Sequence, residues 1–126
     1  MALKEIAVDG CILNHKTGSL ISGGTFTISS IPSTKVKCME KGVFETPLQF
    51  TFSGGNAPTC DPGTVATISP QNINSMAQKV KADSKLVMLK EDFTIMSAMG
   101  TLAGNPVPIF GAVEISDAGQ TKVLAS

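Results

Sequence analysis

Turn signals recur along this chain and divide most of it into short runs that read as strands rather than helices. Asp9-Gly10, Lys16-Thr17-Gly18, Gly23-Gly24, Ile31-Pro32-Ser33, Gly54-Gly55-Asn56, Asp61-Pro62-Gly63, Gly104-Asn105-Pro106 and Ala118-Gly119 punctuate it from end to end. Glycine reaches the positive φ that tight turns require, and proline fixes φ and removes a backbone donor. The runs between these points are short and rich in β-branched residues and Phe, as in strands with one buried and one wet face. A mainly β fold of short antiparallel strands follows. The 126 residues fit a single domain over 1–126, because domains commonly hold about 100–150 residues.

One segment departs from the pattern. Ser69 is a good N-cap, Pro70 suits the first helical position, and Ile73, Met76, Ala77 and Val80 recur at helical spacing. The spacing predicts a short amphipathic helix over about 70–82, with Lys79 and Lys81 near its C-terminal end, where cations are favoured. A weak echo also runs through the chain, in Phe26-Thr27-Ile28-Ser29, Phe50-Thr51-Phe52-Ser53, Ala66-Thr67-Ile68-Ser69 and Phe93-Thr94-Ile95-Met96-Ser97. Its spacing is irregular, so it does not define a solenoid.

Ten Lys balance ten acidic residues, and Arg is absent. A neutral total gives no overall basic field for nucleic acid or an anionic membrane, and without Arg the usual bidentate reader of phosphate and guanine is missing. The opening Met-Ala-Leu-Lys-Glu-Ile has no apolar run of signal-peptide length. Synthesis in the cytoplasm is therefore expected. Charges and turns break every apolar run before it nears the roughly 20 residues of a membrane span, so a soluble protein is expected.

Chemistry of any distinctive kind is confined to Cys11, His15, Cys38 and Cys60, the three cysteines and single histidine. An odd cysteine count without a signal peptide argues against a disulfide framework and leaves thiols free to bind metal. No close pair of ligands marks a zinc finger, so a site would have to be assembled from distant turns. In an extended stretch Cys11 and His15 stand about 13 Å apart, and only one of them can belong to a shared site. Cys11, in Cys11-Ile12-Leu13, reads equally as a small buried hydrophobe. His15, in a turn-like stretch, is better placed as a ligand or else is a solvated turn residue. Cys38 lies in the charged run Lys35-Val36-Lys37-Cys38-Met39-Glu40, and Cys60 at the turn Thr59-Cys60-Asp61-Pro62-Gly63. Catalytic readings are weaker: a Cys–His nucleophile pair has no supporting signature, and the glycine-rich stretches are not followed by the Lys-Ser/Thr of a phosphate loop. An enzyme is not expected.

Both ends of the chain resemble PAAR-like proteins. Val8-Asp9-Gly10-Cys11-Ile12-Leu13-Asn14-His15-Lys16-Thr17-Gly18 is similar to the family's opening, and Gly111-Ala112-Val113-Glu114-Ile115-Ser116-Asp117-Ala118-Gly119-Gln120 to its closing strand. Pro58-Thr59-Cys60-Asp61-Pro62 resembles its Pro-Cys-x-Pro turn, and Cys38 fits its mid-chain Cys loosely. The likeness covers about a third of the chain. Asn105-Pro106-Val107-Pro108, where the family tends to carry a fourth ligand, has neither Cys nor His. The resemblance implies a small β cone on the trimeric β-helical, VgrG-like spike of a contractile injection machine, of the type VI secretion, phage-tail or extracellular-particle kind. It implies a membrane-piercing tip in transient contact with the target membrane, delivered outside the cell. It also implies a structural metal, zinc or else iron, on His15, Cys38 and Cys60. An adaptor that carries an effector or ligand on the same β framework is the second reading.

Overall fold

The computed structural model describes residues 3–82 and 84–125. All regular structure among them is β, in twelve strands: β1 (Lys4–Glu5), β2 (Ile12–His15), β3 (Ser22–Ile28), β4 (Lys37–Cys38), β5 (Lys41–Gly42), β6 (Leu48–Asn56), β7 (Gln71–Ile73), β8 (Lys81–Ala82), β9 (Lys85–Leu86), β10 (Phe93–Leu102), β11 (Asn105–Asp117) and β12 (Leu124–Ala125). Every pairing is antiparallel. The larger sheets run β10-β11-β2 and β3-β6-β7, and the pairs β1-β12, β4-β5 and β8-β9 stand as separate two-stranded arms. The mainly β reading therefore holds.

The architecture is organised by a three-way backbone ring that joins distant parts of the chain. Ala7 N donates to Met88 O at 2.8 Å, Met88 N to Phe44 O at 2.9 Å, and Phe44 N to Ala7 O at 3.0 Å. A second cycle runs in the opposite sense, with donors two residues on and acceptors two residues back: Asp9 N to Gly42 O, Lys90 N to Glu5 O and Thr46 N to Leu86 O, at 2.8–2.9 Å. The bridges Ile6–Leu89, Val8–Val43 and Glu45–Val87 close the same triangle. Each ring segment is entered from one arm, fastened by an equivalent bond: Val43 N to Val36 O, Val87 N to Val80 O, and Ile6 N to Val123 O, at 3.0–3.1 Å. Three short strands thus satisfy one another's backbone groups in a cycle, as a closed barrel does, and the ring presents no free edge.

Two cores lie on opposite sides of this ring, because alternate side chains of a strand point to opposite faces. Ala7, Phe44 and Met88 join the larger cluster with Leu48, Phe50, Phe52, Met96, Val113 and Ile115. Ile6, Val8, Val43, Val87 and Leu89 join the smaller cluster beneath the arms, with Ala82 and Ala125. From the ring the chain leaves as β2, β6 and β10. The longest hairpin, β10–β11, turns at Ala103 (φ 52°) and Gly104 (φ 84°) between the paired Leu102 and Asn105, the doubly left-handed geometry whose twist matches a two-residue hairpin.

The helix expected over 70–82 does not form. Gln71–Ile73 pairs instead with Leu48–Phe50, which buries Ile73 fully, and Lys81–Ala82 enters an arm. Between them, side chains take the backbone donors that a helix would have used. Ser75 N donates to Thr46 Oγ1 at 2.9 Å, Met76 N to Asp92 Oδ1 at 3.3 Å and Ala77 N to Ser75 Oγ at 3.0 Å. Ser and Asp compete with the helical ladder in this way, and burial of Ile73 and Ala77 is reached without one.

Candidate functional site

The ring and its arms form the most distinctive construction in the molecule, and the sequence repeats where they form. Lys35-Val36-Lys37-Cys38, Lys79-Val80-Lys81-Ala82 and Lys122-Val123-Leu124-Ala125 enter the three arms, and Lys41-Gly42-Val43-Phe44, Lys85-Leu86-Val87-Met88 and Lys4-Glu5-Ile6-Ala7 leave them. The first two arms are continuous hairpins, and the third joins residues near both ends of the sequence. At each arm base the valine CO accepts the ring bond; the side chains of Val36 and Val123 also pack on the smaller core, while Val80 is exposed. The residue two further on is Cys38, Ala82 or Ala125, small enough for the narrow cluster beneath.

Lysine distribution follows the same three-fold pattern. Eight of the ten lysines lie at ring-related positions: Lys35, Lys79 and Lys122; Lys37 and Lys81; Lys4, Lys41 and Lys85. All but the half-buried Lys4 are exposed. A zero total charge therefore conceals a concentration of lysines along the arm segments, of which Lys4 pairs with Glu91 at 3.5 Å.

Gln120, of the closing Gly-Gln, fastens the third arm. Its buried Nε2 donates to Ile6 O and Val123 O, both at 2.9 Å, while Oε1 accepts from Lys122 N and Val123 N, both at 2.8 Å. An arm without a connecting turn needs such a clamp, and every amide hydrogen-bonding site that counts is used. Asp92, 1% exposed, performs a similar task for the ring segment that holds Met88 and Leu89. Its carboxylate accepts from Leu89 N at 2.7 Å and from Met76 N at 3.3 Å. Burial pushes its pKa up, against the lowering effect of those two donors.

The proposed metal ligands occupy three different settings. His15, at the end of β2, is half-buried between the rings of Phe26 and Phe52, at centroid distances of 5.0 and 5.3 Å. Its Nε2 lies 2.7 Å from Gly23 O; a carbonyl only accepts, so Nε2 carries the proton, and Nδ1 is buried without a partner. Cys60 is at the expected turn, bonded Cys60 N to Ala57 O, and packs on the larger core. Gly100 makes room for it, since a Cβ there would meet Cys60 Sγ at 2.5 Å. Cys38 belongs to β4 and packs on the smaller core beyond the ring, and burial raises its pKa. It is half-buried where an exposed position was expected. Among the described residues no three of His, Cys, Asp and Glu are grouped so as to hold a metal ion. The arrangement thus does not fit a shared structural metal on His15, Cys38 and Cys60. Cys11 is buried, its thiol pushed up to about 12 by burial first and by Asp9 and Asp117 next.

Among the described residues no helix is long and apolar enough to cross a membrane. Ala7, Phe44 and Met88 escaped the reading of the sequence because each is an ordinary apolar residue. The recurrent Lys-Val-x-Cys/Ala was the signal that could have located them. Comparison with protein-family models, with curated proteins and with solved structures found no match.

Proposed function

We propose that this chain is a structural cap that seats as one copy on a three-fold partner, the tip of a trimeric β-helical spike in a contractile injection machine. The observation that supports the reading is the ring: one chain builds three near-equivalent arms and exits around a common axis. A single polypeptide on a trimer faces a symmetry mismatch, because closed oligomers repeat each contact around their axis. A monomer with internal three-fold repetition reduces that mismatch by offering a similar contact set to each subunit. In this reading the end carrying the loops beyond β2, β6 and β10 faces the spike, and the lysine-bearing arms lead. An anionic membrane surface attracts clustered lysines, which suits a leading end. No chemistry is required of the tip.

The test is stoichiometry. Co-expression with the trimeric β-helical spike protein encoded nearest to this chain should give, by native mass spectrometry, a complex of one cap and three spike subunits. Three caps per trimer, or no complex, would refute the proposal.

A further inference from the structure

Strand β11 outruns one of its two neighbours. β2 pairs with it only as far as Val113, and Lys16 N adds one bond to Ala112 O at 2.7 Å. Residues 105–110 extend beyond that point with β10 on one side alone.

Ladder alternation fixes what the bare side presents. In an antiparallel pair, every second pair of opposed residues turns its NH and CO groups away from the other strand. On β10 these residues are Ser97, Met99 and Thr101. Met99 exchanges both bonds with Ala66 at 2.9–3.0 Å, Thr101 O accepts from Asp61 N at 2.7 Å, and Ser97 N donates to Gln71 Oε1 at 3.2 Å. Their opposites on β11 are Phe110, Pro108 and Pro106, whose backbone groups therefore face outward on the bare side. Two of these three positions are proline, which has no NH to give. Asn105, Val107 and Ile109, whose donors turn toward β10, keep theirs.

Without the prolines this edge would be a hazard. Phe110 is 58% exposed and Ile95, on the same face of the hairpin, 60% exposed. A long bare edge flanked by apolar side chains is a template for another chain. In a second copy paired antiparallel about Pro108, Pro108 would oppose Pro108, and Pro106 would oppose Phe110. Of the six inter-strand bonds in that register, four call for a donor that proline lacks.

We propose that Pro106 and Pro108 close this edge to a second copy of the chain and so keep the protein monomeric. The opposite edge of the hairpin needs no such device, because Asp61, Thr64 and Ala66 already bond to it. The run Asn105-Pro106-Val107-Pro108 thus acts through its backbone and requires no ligand. The proposal concerns the isolated chain and does not depend on the spike-cap reading, so either can fail alone.

The test is self-association of the intact chain carrying both Pro106→Thr and Pro108→Thr, since threonine supplies the NH and suits an exposed strand. By light scattering after size exclusion, the natural chain should be monomeric at about 100 µM. The double variant should dimerise with a dissociation constant lower by about a hundredfold or more, because each of the four restored bonds contributes roughly fivefold. Either single variant restores two bonds and should give about tenfold. Val107→Thr, where the backbone already bonds to β10, should leave the chain monomeric. In amide exchange the new NH groups at positions 106 and 108 should be fast in dilute protein and slowed about tenfold or more in the dimer. A natural chain that already dimerises at that concentration, single and double variants that stay monomeric, or a dimer in which the new amides remain fast would each overturn the proposal.

Discussion

Truncating Phe44 tests whether the ring positions share one packing space. Phe44 is 3% exposed and lies in the larger core with Ala7 and Met88, its backbone bonded directly to both. Phe44→Ala should cost about 3–5 kcal/mol, the usual cost of emptying a buried phenyl site. With a urea slope of about 2 kcal/mol/M, usual for a domain of this size, the unfolding midpoint falls by about 2 M. Because Trp and Tyr are absent, far-ultraviolet circular dichroism is the appropriate probe. Ala7→Met alone overfills the native core and should cost about 1–3 kcal/mol. Combined with Phe44→Ala it moves apolar bulk from one ring position to the next, and the double variant should be more stable than Phe44→Ala alone by at least about 1 kcal/mol, the size of coupling seen between residues in contact. Additive losses, or a double variant less stable than either single one, would refute a shared space at the ring.

Two further outcomes follow from the cysteines. Gly100→Ala should destabilise by about 1–3 kcal/mol through overpacking, because the new Cβ meets Cys60 Sγ at 2.5 Å and Val65 Cγ2 at 3.0 Å; Cys60→Ala added to it should restore part of the loss in urea titration, and no restoration would mean that Cys60 is not the obstacle. Cys11 rises from 9.0 in the unfolded chain to about 12 in the fold, so the folded state holds its proton longer; the stabilisation is complete below about pH 9 and fades between about pH 9 and 12. The interval corresponds to at most about 4 kcal/mol. Cys11→Ala should flatten the alkaline decline of stability in that window, and an unchanged decline would assign it to other groups.

The strand-rich fold was legible because turn chemistry is local: Gly10, Gly18, Gly63 and Gly104 take positive φ at turns, and their residue type announces it. The segment over 70–82 misled because its apolar spacing is satisfied equally by a strand that buries Ile73 and a loop that buries Ala77; what decides between them is the competition from Thr46, Asp92 and Ser75 for backbone donors, two of which are distant in sequence. The candidate ligands were legible as residues but not as a site. Cys38 lies on the arm side of the ring and Cys60 on the other core, and nothing in their spacing reveals which core each one joins. The ring itself was written in the sequence as three contiguous copies of Lys-Val-x-Cys/Ala, at 35–38, 79–82 and 122–125, but the return segment that follows the first two within a few residues is supplied for the third by residues 4–7, which no local spacing reveals.

The three-fold character is a property of the main chain and of the lysines, and not of the core. Ala7, Phe44 and Met88 differ widely in volume, yet they hold equivalent bonds, since a cyclic set of NH and CO groups is indifferent to the side chains it carries. At the ring the asymmetry lies in the side chains, where Phe and Met fill space that Ala leaves. At the arm end the repetition is carried outward by the lysines rather than by the unequal core residues. On the far side of the ring from the arms the repetition breaks, because β2 and β3 are not paired with each other while β6 pairs with β7 and β10 with β11. Backbone closure at the ring thus supplies the three-fold repetition, and the β2–β3 seam is a place where that repetition stops.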